Sequence, residues 1–426
     1  MHCPGKIELN MAKLLLSAET VLPVSSEPLK NSSVLISHGK IRDVGKSSVL
    51  RKRYKGVIEI DLGKGVLLPG FVNAHTHLEL GWVFEKLRSF SGFTGWLTQI
   101  VKEKRKGTDT GDIIRAIEEG INTVVRSGVT TIGEISSYGG MDIPFLKGSG
   151  LRTVLFREIL DSNEGDTNFT ALENDVLFEE RLFPHAPYSC SPAVLKKALR
   201  SHRRNGVPLG IHLAESTDEV GFVRGEENGI EKKIFPLIRK APFNKPRAES
   251  PVSYLRKAGL LDGTRITLIH MVQVSAEEAG ELRDLDAAIV LCPRSNFLLQ
   301  VGIPPLTEYA KFKRIGIGTD GLSSNYNLDF FEEMRFLHML LSGSQGRKAA
   351  FLTVYAATLG GAGALYLEDR IGSIAPGMEA DLLFLKARSR AADPYLSVVS
   401  STSQDVGMVM VRGEIIHRAP GTYTDI

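Results

Sequence analysis

The chain has only three cysteines, Cys3, Cys190 and Cys292, far apart and without CxxC spacing. That scarcity argues against a disulfide framework and against a thiolate zinc cluster, and it makes a reducing cytoplasm the expected compartment. An excess of one charge is also missing. Lys and Arg number 52 against 49 Asp and Glu, and a net +3 over 426 residues is no footprint for nucleic acid or a membrane surface. Any polar partner, a small-molecule substrate first of all, must therefore be held by a site. Apolar runs end well short of the roughly 20 residues that span a bilayer. The segment Met11 to Ser17 has too short an apolar region for a signal peptide, and Met1 and Met11 both stand as candidate starts.

What is present is a large apolar fraction, 42%, arranged in two styles. From Lys13 to Leu68, and again from Gly372 to Ile416, short strands alternate with turn-formers such as Ser37-His38-Gly39-Lys40. Isolated hairpins are marginal in water, so the two ends are expected to pair into one small composite β-sandwich, residues 1–68 plus 361–426. Between them, residues 69–360 alternate β-branched apolar runs (Thr130 to Ile132, Arg152 to Phe156, Pro208 to Ile211, Ile266 to Ile269, Ala288 to Leu291, Arg314 to Gly318) with amphipathic segments such as Asp112 to Ser127 and Ser191 to Asn205. About eight such units predict a TIM-type (β/α)8 barrel in the α/β class.

The ends of the apolar runs carry the chemistry. The run Val66 to Ala74 leads into His75-Thr76-His77, and residues i and i+2 of a strand project to one side. Other runs end at His212, His270 and Asp320. In a barrel these ends meet at the C-terminal rim, where three or four imidazoles and a carboxylate form a donor set suited to Zn²⁺ or a similar divalent ion.

These residues, with Pro69-Gly70-Phe71-Val72-Asn73-Ala74-His75-Thr76-His77, His212-Leu213-Ala214-Glu215, Gly318-Thr319-Asp320 and Pro376-Gly377-Met378-Glu379-Ala380-Asp381-Leu382, resemble the amidohydrolase superfamily, in particular its cytosine deaminase and chlorohydrolase-like group. The resemblance covers nearly the whole chain. It implies one divalent ion, zinc or iron, on His75, His77, His212 and Asp320. A bridging lysine of the binuclear branch is missing, since Leu182-Phe183-Pro184-His185 stands in its place. It further implies that Asp320 is also the general base toward an ion-activated water, that Glu215 protonates a ring nitrogen, and that His270 steadies the attacking water by a hydrogen bond. Homodimerisation is expected from the family.

Three further residues are candidate substrate contacts. His185, in Pro184-His185-Ala186-Pro187-Tyr188, either meets substrate or packs its loop. Arg157, at a run's end, either grips a substrate hydroxyl or carboxylate or pairs with Glu158 or Asp161. Trp96, in Phe90 to Leu97, belongs either to an aromatic lid or to plain packing. The interval from His212 to His270 exceeds that from His270 to Asp320, although the second should hold one more strand; a long loop over the mouth is expected at Gly229 to Pro251.

The segments His77-Leu78-Glu79-Leu80, Phe93 to Leu97, Phe156-Arg157-Glu158 and Ser250 to Leu255 are similar to aminodeoxyfutalosine deaminases of the menaquinone route, with S-adenosylhomocysteine and methylthioadenosine deaminases as near neighbours. The expected reaction is deamination of an aminopurine-type nucleoside. Guanine deaminase and chlorotriazine-type hydrolase are the alternatives on the same site. A non-catalytic scaffold would be expected to lose ligands, and none of the five rim residues is missing.

Overall fold

The computed structural model describes residues 13–161, 172–238, 247–386 and 391–422. Eight parallel strands close into a barrel: β6 (Phe71–Thr76), β7 (Val129–Ser136), β8 (Arg152–Ile159), β9 (Phe178–Pro184), β10 (Leu209–Leu213), β11 (Ile266–His270), β12 (Ala288–Leu291) and β13 (Ile315–Ile317), with β13 pairing back onto β6. Near-continuous apolar sequence is what such strands need, because helices cover one face and the barrel interior the other. Val72, Val154, Phe156, Phe183, Ile269 and Val290 accordingly share one buried cluster.

The helices begin and end where their sequences say. Ser191 accepts from the Val194 N–H and is followed by Pro192 at the first helical position; the helix Pro192–Asn205 then stops at left-handed Gly206. The segment after the last barrel helix, Leu359–Ala364, runs on beneath the barrel, where the Tyr366 hydroxyl bonds both the N–H and the carbonyl of Ile266 at the start of β11. The domain division expected at 360 and 361 thus falls inside a helix that packs on barrel strands.

Both chain ends do join. β1 (Leu14–Val21), β2 (Leu29–Ser37), β3 (Lys40–Lys46), β4 (Ile58–Asp61), β5 (Gly65–Pro69), β14 (Leu382–Lys386), β15 (Val406–Val411) and β16 (Glu414–Arg418) form one eight-stranded sheet, largely antiparallel, in which β5 pairs with β14. Its core includes Leu14, Leu16, Val34, Ile36, Leu382, Phe384, Met408 and Met410. Arg152 ties the sheet to the barrel: buried at the start of β8, it bonds Asp381 at 2.8 Å and Glu379 at 2.5 Å. Among the described residues no helix is long and apolar enough to cross a membrane.

One expectation is corrected. The stretch from Gly229 is not a loop up to Ile238: Ile230–Ile234 forms a π turn and Phe235–Ile238 an α turn. Both pack on the helix Phe93–Lys106, because buried Ile230 and Ile234 give the stretch an apolar face. The Lys/Pro-rich part, residues 239–246, lies outside the described residues.

Candidate active site

The site is assembled at the C-terminal ends of the barrel strands. β6 delivers His75 and His77, whose rings stand 4.9 Å apart by centroid, and β10 delivers His212, with its Nε2 3.4 Å from that of His77. Ligand atoms of His75, His77 and His212 all lie within 4.8 Å of one another. Asp320, three residues beyond β13, places Oδ1 3.5 Å from His75 Nε2 and 3.8 Å from His77 Nε2. The sequence permits this approach at Gly318, where a Cβ would sit 2.6 Å from the Cβ and carbonyl oxygen of His75. Asn73 and Thr319 staple the same two strands: the Asn73 amide donates to Thr319 Oγ1 at 2.8 Å and its Oδ1 accepts from the Thr319 N–H at 3.0 Å.

These four side chains fit a divalent cation. All are buried, and among the described residues both ring nitrogens of His75 and Nδ1 of His77 have no hydrogen-bond partner, a costly state for a neutral buried imidazole unless something else takes its lone pair. Burial holds the His77 and His212 rings well below their ordinary pKa, so both are neutral donors. The His212 tautomer is fixed by its backbone surroundings. Nδ1–H donates to the His185 carbonyl at 3.0 Å, which leaves Nε2 unprotonated toward the cluster.

Opposite this cluster stands Glu215, just past β10. It is 5% exposed, and burial, reinforced by Asp320 and Glu219, pushes its carboxyl well above the usual carboxylate range. His270, the last residue of β11, puts Nε2 3.6 Å from Glu215 Oε1 and turns Nδ1 to Asn296 Oδ1 at 3.0 Å. Burial lowers its pKa to about 4, so this ring is also neutral. In Asp320 burial works upward but is outweighed by the His75 imidazole 3.5 Å away and by those of His77 and His270, which hold the carboxyl well below its usual range.

His185 follows β9 and is the most open of the imidazoles here, its side chain 20% exposed; Nδ1 meets Ser189 Oγ at 2.7 Å and the ring lies 4.8 Å from that of His212. Trp96 is not on a loop but on the helix Phe93–Lys106, because the apolar spacing of Phe93, Trp96, Leu97 and Ile100 continues the helix from there. Its indole N–H donates to the Ser323 carbonyl, and its ring stands 6.0 Å from Phe93, itself 6.2 Å from Tyr188.

Arg157 makes an ion pair, but not with either partner that sequence offers. It alternates with inward-facing Phe156 and so leaves the barrel, 46% exposed, to pair with Glu180 of β9 at 2.6 Å rather than with Glu158 or Asp161. Only the Arg157 side of the pair is exposed; Glu180 is buried and also accepts from the Glu173 N–H at 2.8 Å. Arg157→Ala is expected to leave kcat and KM within about twofold of wild type; a tenfold rise in KM would return it to the substrate.

Other contributors have weak or no sequence signal. Glu219 accepts from the N–H groups of Ala214 and Glu215, both at 2.9 Å, and so shapes the turn that presents Glu215. The pattern Ser216-Thr217-Asp218-Glu219 announces a helix start, as it is, but not this use of the carboxylate. Glu158, whose Oε1 lies 3.8 Å from His185 Nε2, is the inward neighbour of Arg157. Ser295 donates to Asp320 Oδ2 at 2.7 Å from a strand end that presents no imidazole or carboxylate.

Compared with known proteins, residues 66–416 match the profile described as the amidohydrolase family. The chain belongs to the amidohydrolase family. A 5-methylthioadenosine/S-adenosylhomocysteine deaminase of Moorella thermoacetica is 29% identical over 430 residues, covering 95% of this chain and 94% of that one. Among solved structures, an adenosine deaminase from Xanthomonas campestris with bound zinc superposes with a TM-score of 0.80 at 24% identity, covering 98% and 95% of the two chains. The Helicobacter pylori aminofutalosine deaminase in complex with methylthio-coformycin gives 0.81 at 24% identity, covering 94% and 99%. Both likenesses bear on the fold.

Proposed function

We propose that this amidohydrolase is a metal-dependent hydrolytic deaminase of an adenosine-type nucleoside, with aminodeoxyfutalosine, S-adenosylhomocysteine and methylthioadenosine as the candidate substrates. The observation that carries the reading is the placement of two buried carboxyl groups, Glu215 and Asp320, at one imidazole-lined site, the first pushed above and the second held below the usual carboxylate range. Two carboxyl groups driven apart in pKa are the mark of divided acid and base roles. Relatives named as deaminases of adenosine derivatives support the choice of substrate.

His75, His77, His212 and Asp320 would hold the ion, and this three-His, one-carboxylate set favours zinc. When bound, the ion supplies the Lewis acidity that makes hydroxide available from water near neutral pH. The chain's own groups do the rest. Asp320 takes the proton of the attacking water as its oxygen bonds to the amino-bearing carbon. Glu215 gives its proton to the adjacent ring nitrogen. The proton taken by Asp320 then passes to the amine, the C–N bond breaks and ammonia leaves; the ring nitrogen keeps the proton from Glu215, and the hydroxyl on carbon gives its own proton back to Glu215 as it becomes the carbonyl. His270, neutral, faces the same space as a hydrogen-bonding partner. His185 and the Phe93, Trp96 and Tyr188 rings supply a wall for an aromatic base.

The test is ammonia release by the zinc-loaded protein from those three compounds, adenosine, guanine and cytosine. Turnover of one adenosine-type compound, abolished by chelation and restored by zinc, is expected. Turnover of guanine alone, or silence from metal-replete protein, overturns the reading.

A further inference from the structure

Two consecutive residues of one short helix, Pro293–Leu298, reach two different members of the site. Ser295 donates to Asp320 Oδ2 at 2.7 Å, and Asn296 Oδ1 lies 3.0 Å from His270 Nδ1. Both are fully enclosed, with Ser295 at 0% and Asn296 at 1% exposure. The helix follows Cys292 at the end of β12. It is itself fixed: the Arg294 N–H donates to Glu333 Oε1 at 2.9 Å, and the other oxygen of Glu333 accepts from the Asn325 amide at 3.2 Å, in the loop that follows Asp320.

The two oxygens of Asp320 are therefore not equivalent. Oδ1 faces His75 and His77 and accepts from the Gly321 N–H at 2.9 Å, whereas Oδ2 is turned toward the Ser295 hydroxyl. A hydroxyl there occupies one lone pair of Oδ2, blocks rotation of the carboxylate and leaves the second lone pair open. At His270 an oxygen can only accept, so Nδ1 carries the ring hydrogen and Nε2 presents a lone pair toward Glu215.

We propose that Ser295 and Asn296 are positioning residues for the deamination: Ser295 holds Asp320 with Oδ1 toward the ion and Oδ2 as the oxygen that takes the water's proton, and Asn296 holds His270 in its Nδ1–H form. The proposal rests on the deaminase reading and deepens it. In the step it describes, the O–H bond of water breaks and the proton moves to Oδ2, the oxygen bonds to the amino-bearing carbon, and the C=N π pair moves to the ring nitrogen, which takes the proton of Glu215. Neither residue touches substrate, so both act through the side chain they hold.

Ser295→Ala, Ser295→Thr and Asn296→Ala in the zinc-loaded enzyme test it. Ser295→Ala is expected to lower kcat about 10- to 100-fold, the usual cost of losing such an outer partner, with KM within about threefold and zinc content unchanged. Ser295→Thr, which keeps the hydroxyl, is expected to recover most of that loss. In protein labelled with nitrogen-15 histidine, the His270 ring resonances, assigned against His270→Gln, are expected to show a protonated Nδ1 in wild type and a tautomer mixture in Asn296→Ala. An unchanged kcat in Ser295→Ala, a loss confined to KM, or a parallel loss of zinc or of thermal stability would overturn the Ser295 role. A protonated Nε2 in wild type would overturn the Asn296 role. Should wild type deaminate nothing, it is the deaminase reading that has failed, and the ring-nitrogen spectrum still decides the tautomer independently.

Discussion

Asp320→Asn is expected to lower kcat/KM by about 10³-fold or more, and to lower bound zinc per chain in the same preparation. The first effect follows from the loss of the proton acceptor, worth about 10² to 10⁴ on its own. The second follows because Oδ1 is the carboxylate atom turned to both His75 and His77, at 3.5 and 3.8 Å from their Nε2 atoms. An amide in its place keeps the shape but neither the charge nor the basicity. Steady-state kinetics with metal analysis on one sample checks both. Activity within tenfold of wild type at full zinc content would mean that another group takes the proton.

Glu215→Gln separates acid from ligand. It is expected to reduce kcat by about 10² to 10⁴ while leaving zinc content at the wild-type level. The active form of Glu215 is the protonated one, and its carboxyl is raised by burial first and by Asp320 and Glu219 next. Activity that depends on it is therefore present below its raised pKa and lost as pH climbs through it, so kcat/KM of the wild type should show an alkaline limb. The glutamine variant, with nothing to titrate there, should lack that limb. A variant that keeps both its rate and its limb would remove Glu215 from the reaction.

Much of this architecture was legible in the chain because barrel strands advertise themselves. Runs such as Ile266 to Ile269 are apolar but for one threonine, and a histidine or aspartate closing four of the runs is conspicuous for being the wrong kind of residue for a core. The glycine at 318 and the caps at Ser191 and Gly206 added the punctuation. The partner of Arg157 was missed for a simple reason: one residue's shift along a strand exchanges inside for outside, and Phe156, not Arg157, points inward. Ser295 and Asn296 were invisible for another. A serine and an asparagine after Cys292-Pro293 read as an ordinary helix start, and only closure of the barrel brings them against Asp320 and His270. The interval Gly229 to Pro251 reads as a loop because the spacing of His212, His270 and Asp320 leaves an excess there, yet Ile230 and Ile234 are buried on short helical turns.

Arg152 makes the barrel depend on chain that follows it in sequence. Every strand of the barrel has left the ribosome by residue 317, with all the imidazoles of the site already made. The carboxylates that neutralise Arg152, Glu379 and Asp381, come later, in the turn leading to β14. Removing both carboxylates from the folded chain would leave a buried guanidinium uncompensated, a penalty of about 3–5 kcal/mol. A chain that ends before this turn is therefore expected to be less stable and more readily cleaved than the full chain, although it carries every imidazole of the site.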